Sequence, residues 1–315
     1  MLPVPVCAFD IAPDGVATQC EIDNAQNAGW RWLNLDQADP ALSDWLSKNV
    51  PASVAVALQL PKTRPRFDLL TEGALINLRG VNLNTGALPE DMISLHIWAT
   101  ADLVITVRKR TIMALEATRQ EMVLGKGAKT TSAFLAEIAE ELTQRIEAES
   151  IILEDRVDEL EEAMISKKSI NANEMLSLRQ SLIKMRRFIG PQRKALQDFS
   201  IAKNGLPDVK TAPHLLETAN RASRTVEALD AARDRMAVMQ EHLDIETTAA
   251  MGRNGYILSI VATVFMPLGF LTGLFGVNID GMPGLDTPWA FKVLCGTSVA
   301  FGLLLYFLYR TLKWL

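Results

Sequence analysis

YILSIVATVFMPLGFLTGLFGVN, residues 256–278, is an apolar run without a charge that closes on Gly276-Val277-Asn278. A second apolar run, Trp289 to Leu308, begins a short loop later and carries one charge, Lys292, close to its start. At a rise of ~1.5 Å per residue, a helix of about 20 residues matches the roughly 30 Å hydrocarbon core of a bilayer, so both runs read as spanning helices. The Lys292 amine can snorkel to the interface. Gly276 and Asn278 then sit at a membrane surface between two spans, a small residue and a neutral amide where an arriving solute comes first.

The chain before these runs has another character. Of the 315 residues 22% are charged, and the formal net charge is -5. A mean hydropathy of only +0.12 therefore averages a polar, patterned domain with a small membrane part. Residues 1–10 show no basic stretch followed by a long apolar core, so no cleavable signal peptide is expected. Arg253 precedes the first span, and Arg310 with Lys313 follows the second, whereas residues 278–288 hold no Lys or Arg. Basic flanks mark the cytoplasmic side, which predicts an integral membrane protein with both termini in the cytoplasm. Cys7, Cys20 and Cys295 have no paired spacing, so they read as packing thiols rather than a disulfide framework or a thiolate metal site. An acidic balance gives no footprint for nucleic acid.

Between Val4 and Arg110 short apolar runs separated by turn formers predict strands at Val4–Phe9, Trp30–Leu35, Leu75–Leu83, Ile93–Trp98 and Leu103–Val107. Helices are expected around Pro40–Asn49 and Thr111–Leu124, giving an α/β domain over residues 1–128 with a mixed or largely antiparallel sheet. After Gly125-Lys126-Gly127 the pattern turns helical, with long cytoplasmic helices over 129–210. One is Thr131–Lys168, with Ile138, Leu142, Ile146, Leu153, Val157 and Leu160 on its apolar stripe. A second, Asn173–Lys203, is expected to be strained at Gly190-Pro191, where proline removes a backbone donor. Its acidic neighbour carries Glu137, Glu140, Glu141, Glu154, Asp155, Asp158, Glu159, Glu161 and Glu162, a run that reads first as a solvated face and secondarily as a place for regulatory cations.

From Pro213 onward no break appears before the first span, so the stalk helix (211–254) and transmembrane helix 1 (255–277) read as one helix on the order of 90–100 Å long. A compact monomer cannot support that length alone. Leu215, Ala219, Ala222, Val226, Leu229, Arg233, Met236, Gln240, Leu243, Thr247 and Ala250 recur at four and three residue steps, a heptad line of coiled-coil type. Arg233, Gln240 and Thr247 on that line suit a wide, hydrated axis between helices, and packing on the chain's own helices is the competing account. Within the span the line continues as Gly255, Leu258, Ala262, Met266, Gly269 and Gly273, either around an axis that gates by dewetting or as close helix packing through small residues. Pro267 predicts a kink or tightened turn. The loop (278–288) adds Asp280 and Asp286, which in a ring would concentrate cations. His96, His214 and His242 stand alone in sequence, and no set of direct metal ligands is identifiable.

Met266-Pro267-Leu268 through Gly273, Phe275-Gly276-Val277-Asn278, Met282-Pro283-Gly284 and a second span (289–310) with a basic cytoplasmic tail (311–315) resemble the CorA superfamily of divalent-cation transporters. The superfamily's Gly-Met-Asn signature stands here as Gly276, Val277 and Asn278, which is similar to its ZntB branch, associated with zinc. Gly284, where the magnesium branch tends to carry an acid, points the same way. The resemblance covers the full chain and implies a funnel-shaped homopentamer whose first spans line one pore. In it, five Asn278 amides would ring the outer mouth as a selectivity filter for hydrated ions. An amide oxygen can replace outer water without gripping the ion, and weak binding permits exit. It implies zinc as cargo, with other divalent cations alongside, no cofactor, and the lipid bilayer and further copies of this chain as partners. The membrane stripe has no titratable group, so protons as a coupled partner would need the mouths, the stalk or a water-linked path.

Two other functions compete with it. One is a CorA-type magnesium or cobalt channel, and the other a membrane-anchored coiled-coil scaffold or sensor that passes no ion. No nucleophile and base spacing, P-loop or ligand motif suggests an enzyme.

Overall fold

The computed structural model describes residues 2–26, 29–61, 63–202, 206–276 and 287–311. It divides into two compact units, Met1–Met239 and Gln240–Leu315. The first opens with β1 (Cys7–Ile11), β2 (Ala17–Gln19), β3 (Trp30–Asp36), α1 (Leu42–Asn49) and α2 (Ala52–Gln59). It continues with β4 (Arg66–Leu69), β5 (Ala74–Gly80), β6 (Ile93–Ala99), β7 (Leu103–Arg108) and α3 (Met113–Val123). Three long helices follow, α4 (Thr131–Ile165), α5 (Ala172–Ser200) and α6 (Ala212–Gly276), and α7 (Ala290–Thr311) comes last.

The strands form one seven-stranded sheet in the order β2-β1-β3-β7-β6-β5-β4. Only β3 and β7 pair in parallel, the other pairs being antiparallel. This is the largely antiparallel sheet that the alternating apolar runs predict. Three elements lie outside that prediction. β2 and β4 are short edge strands, and β4 (RFDL) is half-exposed and charged, the usual device for blunting an edge and one that erases the apolar signal. α2 (ASVAVALQ) is a short apolar stretch behind Pro51, which periodicity cannot tell from a strand.

Side chains alternate across the pleat, so the sheet has two packed faces. One face holds Leu33, Leu35, Leu75, Trp98, Ile105 and Val107 against Leu46 of α1 and Val54 and Leu58 of α2. The other holds Phe9, Trp32, Ile76 and Ile97 against Phe134, Ile138 and Leu142 of α4, with Leu215 and Ala219 of α6 in the same core. Phe134 lies 4.9 Å from Trp30 and 5.0 Å from Trp32, ring centre to ring centre. The indole donors are satisfied, Trp30 Nε1 by the Ala128 carbonyl and Trp32 Nε1 by Thr106 Oγ1, each at 2.9 Å.

The break at Gly125-Lys126-Gly127 has a clear mechanism. Gly125 takes φ +77°, its N–H donates to the Met122 carbonyl at 2.9 Å, and the Lys126 N–H reaches back to the Glu121 carbonyl at 3.0 Å. These two bonds are the Schellman closure that ends α3. Thr130 Oγ1 then accepts from the Ala133 N–H and starts α4. α5 runs through Gly190-Pro191 without ending, because Ile189 and Gln192 on either side are buried. Gln192 Oε1 also accepts from the Arg79 N–H at 2.7 Å, tying the helix to the sheet.

α6 is one helix common to both units, running through Pro267 to Gly276. In the first unit it buries Leu215, Ala219, Ala222, Val226, Leu229, Ala232, Met236 and Met239. In the second unit the rest of α6 and α7 are long and apolar enough to cross a membrane, and none of their most apolar stretch is buried within the chain.

The core also contains a charge pair. Arg31 Nε and Nη2 donate to Asp10 Oδ1 and Oδ2 at 2.6 and 2.9 Å, with both side chains buried. Arg31 donates as well to the Asn24 carbonyl at 2.8 Å. Truncating one partner leaves the other charge buried and unpaired. Arg31→Ala is therefore expected to cost about 3–5 kcal/mol in urea unfolding of the full chain, and a loss below ~1 kcal/mol would contradict this role.

Candidate functional site

The predicted filter lies at the edge of what is described. Gly276 ends α6, while Val277, Asn278, Asp280 and Asp286 fall outside the described residues. Gly255, Leu258, Ala262, Met266, Gly269 and Gly273 are all exposed on the single chain. At Gly255, Gly269 and Gly273 nothing lies within 4 Å of where a Cβ would stand. An α-helix satisfies its own backbone in lipid, and the hydroxyls do likewise: Thr263 donates to the Ser259 carbonyl at 2.7 Å and Thr272 to that of Leu268 at 3.0 Å. Lys292 and Cys295 are exposed on α7.

The stalk candidates divide from their heptad line. Leu215 to Leu229 and Met236 are buried on the chain's own helices, so this part of the line serves intrachain packing. The buried face then turns toward Ala232 and Met239, leaving Arg233 and Gln240 exposed. Two flanking pairs fix that turn, Arg186 of α5 with Asp230 at 2.8 Å and Arg235 with Asp158 of α4 at 2.6 Å. Arg233 pairs with Asp234 at 3.0 Å, and the Thr247 hydroxyl donates to the Leu243 carbonyl at 2.6 Å.

One feature of α4 and α6 escaped the sequence reading. His214 Nε2 lies 2.7 Å from Glu140 Oε2, Arg221 Nη2 lies 2.6 Å from Glu147 Oε2, and Arg235 pairs with Glu161. Each pair is 74 residues apart in sequence. A constant offset means parallel helices, and rungs seven or fourteen residues apart keep to one line on each. The signal was present as Glu140, Glu147, Glu154 and Glu161 at steps of seven beside His214, Arg221 and Arg235. Reading it requires knowing that α4 and α6 run side by side. Much of the acidic face is thus paired rather than simply solvated.

Metal ligation finds little support in the first unit. Among the described residues no group of three or more His, Cys, Asp or Glu is arranged to hold an ion. A cavity of about 200 Å³ carries Glu121, Glu137 and Lys126 on its wall, mixed charges rather than a cation-ligand set. Burial pushes both the Cys7 and Cys20 thiols up to about 11, away from the metal-binding thiolate at neutral pH. His242 lies 3.4 Å from Glu246 on its own helix. His96 is buried in β6 with Nδ1 2.8 Å from the side-chain amide of Asn77, and burial, aided by Arg79 and Arg66, pushes it down to about 4.

A sheet-based domain, a single helix continuing into an apolar run and a second apolar helix define a two-span membrane protein with a large water-soluble portion. The chain belongs to the family described as CorA-like Mg2+ transporter protein, whose model matches residues 27–310. The chain is 36% identical over 266 residues to the zinc transport protein ZntB of Pectobacterium atrosepticum, covering 84% of this chain and 81% of that one. To the divalent cation transporter CmaX of Pseudomonas aeruginosa it is 35% identical over 289 residues, 90% of this chain and 87% of that one. The solved structure of the full-length CmaX protein superposes with a TM-score of 0.84 at 31% identity, covering 98% of each chain. The family is one of transporters, not enzymes.

His96 supplies a pH test. The folded ring binds its proton only near pH 4, whereas an unfolded histidine binds it near 6.5. Between those values the unfolded state holds more protons, so this contribution is intact above pH 6.5 and is lost as pH falls toward 4. Unfolding free energy is expected to drop by about 3 kcal/mol more across that window in the wild type than in His96→Gln. Parallel pH profiles for the two chains would refute it.

Proposed function

We propose that this chain moves divalent metal cations, with zinc as the preferred cargo, through the axis of a homopentamer. The observation that carries the reading is family membership joined to the exposed small-residue stripe of α6. Gly255, Leu258, Ala262, Met266, Gly269 and Gly273 are free surface on one chain and would surround the axis in five. Leu258 and Met266 would be the constrictions and the glycines the wider rings. Zinc as cargo is supported by the ZntB relative and by Val277 in place of the signature methionine.

Gly276, Val277 and Asn278 would form the selectivity filter at the outer mouth, where five neutral amides bind a cation's water shell. Asp280 and Asp286, in a loop without basic residues, would draw cations to it. Arg233, Gln240 and Thr247 would face the axis between neighbouring stalks, consistent with the exposure of all three. Basic residues flanking the spans support cytoplasmic termini in an inner membrane. The family description also fits a magnesium channel, which competition between the two ions resolves.

The test is flux into liposomes loaded with a zinc-sensitive dye. Zinc entry is expected above empty vesicles and is expected to resist excess magnesium. Asn278→Ala should lower the initial rate about tenfold, the effect of losing ~1.4 kcal/mol of ion stabilisation at the mouth. Unchanged flux in that variant removes the filter role, and absence of any divalent flux leaves a membrane-anchored scaffold instead.

A further inference from the structure

α5 and α6 each keep one side that the rest of the chain leaves in solvent. On α5 the exposed residues Leu176, Gln180, Ile183 and Arg187 recur at four, three and four residue steps, which makes them one line along the helix. On α6 the exposed residues Glu227, Ala231, Asp234 and Val238 recur at the same steps. With about 3.6 residues per turn, each line lies opposite its own helix's buried face. Leu176, Ile183 and Val238 are 55%, 48% and 65% exposed. Single exposed apolar residues are ordinary; their register with a second line is not.

Set antiparallel, the two lines match. Leu176 falls opposite Val238, Gln180 opposite Asp234, Ile183 opposite Ala231 and Arg187 opposite Glu227, each step along α5 met by an equal step back along α6. Apolar then faces apolar, and an amide donor and a guanidinium each face a carboxylate. On their own helix Asp234 holds Arg233 at 3.0 Å and Glu227 the Ser223 hydroxyl at 3.5 Å, and each carboxylate accepts further donors. α4 exposes Ile151 and Ile152 as well, but its outer face continues as Asp155 and Glu159, which would set acids against those of α6.

Within one chain the lines do not meet, because the sides of α5 and α6 that face each other carry Arg186 and Asp230, 2.8 Å apart. That pair fixes a height. Rotation about an axis along α6 preserves height and direction, so a neighbour's α5 would stand beside α6 at the level of the chain's own. α5 runs back along α4, with Arg156 3.9 Å from Glu174, and α4 is parallel to α6, so the antiparallel direction is the one available. Arg187 is one residue past Arg186 and Glu227 three before Asp230, a mismatch of two residues or ~3 Å.

We infer that α5 of one copy docks antiparallel on α6 of the next through these two lines, a head-to-tail contact between unlike surfaces that repeats around a ring. The number of copies rests on the homopentamer reading, whereas the match between the lines does not.

The test uses the full chain in detergent, in a Cys20→Ser/Cys295→Ser background where the remaining Cys7 is buried. Under mild oxidation Leu176→Cys with Val238→Cys, and Ile183→Cys with Ala231→Cys, are expected to link chains into a ladder that reaches five. A ladder beyond two chains requires both cysteines, because one per chain joins at most a pair. Leu176→Cys with Ala231→Cys is out of register by seven residues, ~10 Å, and is expected to give no ladder. Arg187→Glu should slow linkage at Ile183→Cys/Ala231→Cys about twofold to fivefold, the weight of one exposed pair, and adding Glu227→Arg should restore it. Light scattering on the unoxidised protein counts the copies. An oligomer in which the matched pairs do not link overturns this surface and leaves the homopentamer reading standing. Equal linkage out of register, or charge reversal without rescue, overturns the pairing. A ladder that stops at two chains upholds the surface and defeats the homopentamer, and a monomeric particle defeats both.

Discussion

Backbone hydrogen bonding inside a single helix is the condition on which this architecture depends. α6 is one element from Ala212 to Gly276, and along it the surroundings change from protein core to free apolar surface. Only a helix can make that passage, because it satisfies its own N–H and C=O groups whether its neighbours are side chains, water or lipid. Pro267 withholds one donor without ending the helix. Everything else on α6 is decoration that changes with the solvent: leucines, alanines and arginines in the first unit, glycines and aromatic or branched residues in the second.

The contrast between those two sets shows how the same spacing serves different ends. Leu215, Ala219, Ala222, Val226 and Leu229 meet the chain's own helices and disappear from solvent. Gly255, Leu258, Ala262 and Met266 follow the same four and three residue steps and remain exposed. A heptad line is therefore a statement about geometry and not about partners. Burial takes Leu215 to Leu229 out of solvent, whereas Arg233, Gln240 and Thr247 further along the line stay exposed.

Much of the fold was legible because its signals are local. β5 and β6 alternate residues between two cores, and the two apolar runs near the C-terminus are long and apolar enough to cross a membrane. β2, β4 and α2 were missed because edge strands are short and polar, and because an eight-residue apolar helix looks like a strand. The site was legible only as chemistry. Asn278 reads in the sequence as a weak oxygen ligand for a hydrated ion, and it lies outside the described residues. The ladder was hidden for a different reason. An acid on a helix surface has the same appearance in sequence whether it faces water or an arginine 74 residues away.

Charge is absent from the first apolar run, and that absence carries a mechanistic consequence. Within residues 257–276 no side chain is acidic or basic, so nothing in that stretch can form a charge latch. On the proposed reading the span can only widen, narrow or dewet. Any control must then enter where charges exist, and the dense set of such charges against α6 is the line running from Glu140 to Glu161. Strong, buried pairs there would freeze the helix, since breaking one strands a desolvated charge. Half-exposed pairs do the opposite, because water and alternative acids substitute for each lost contact at little cost. The contrast with Asp10 and Arg31 is instructive: the chain can build a buried bidentate pair where it needs a fixed core, and along α6 it did not.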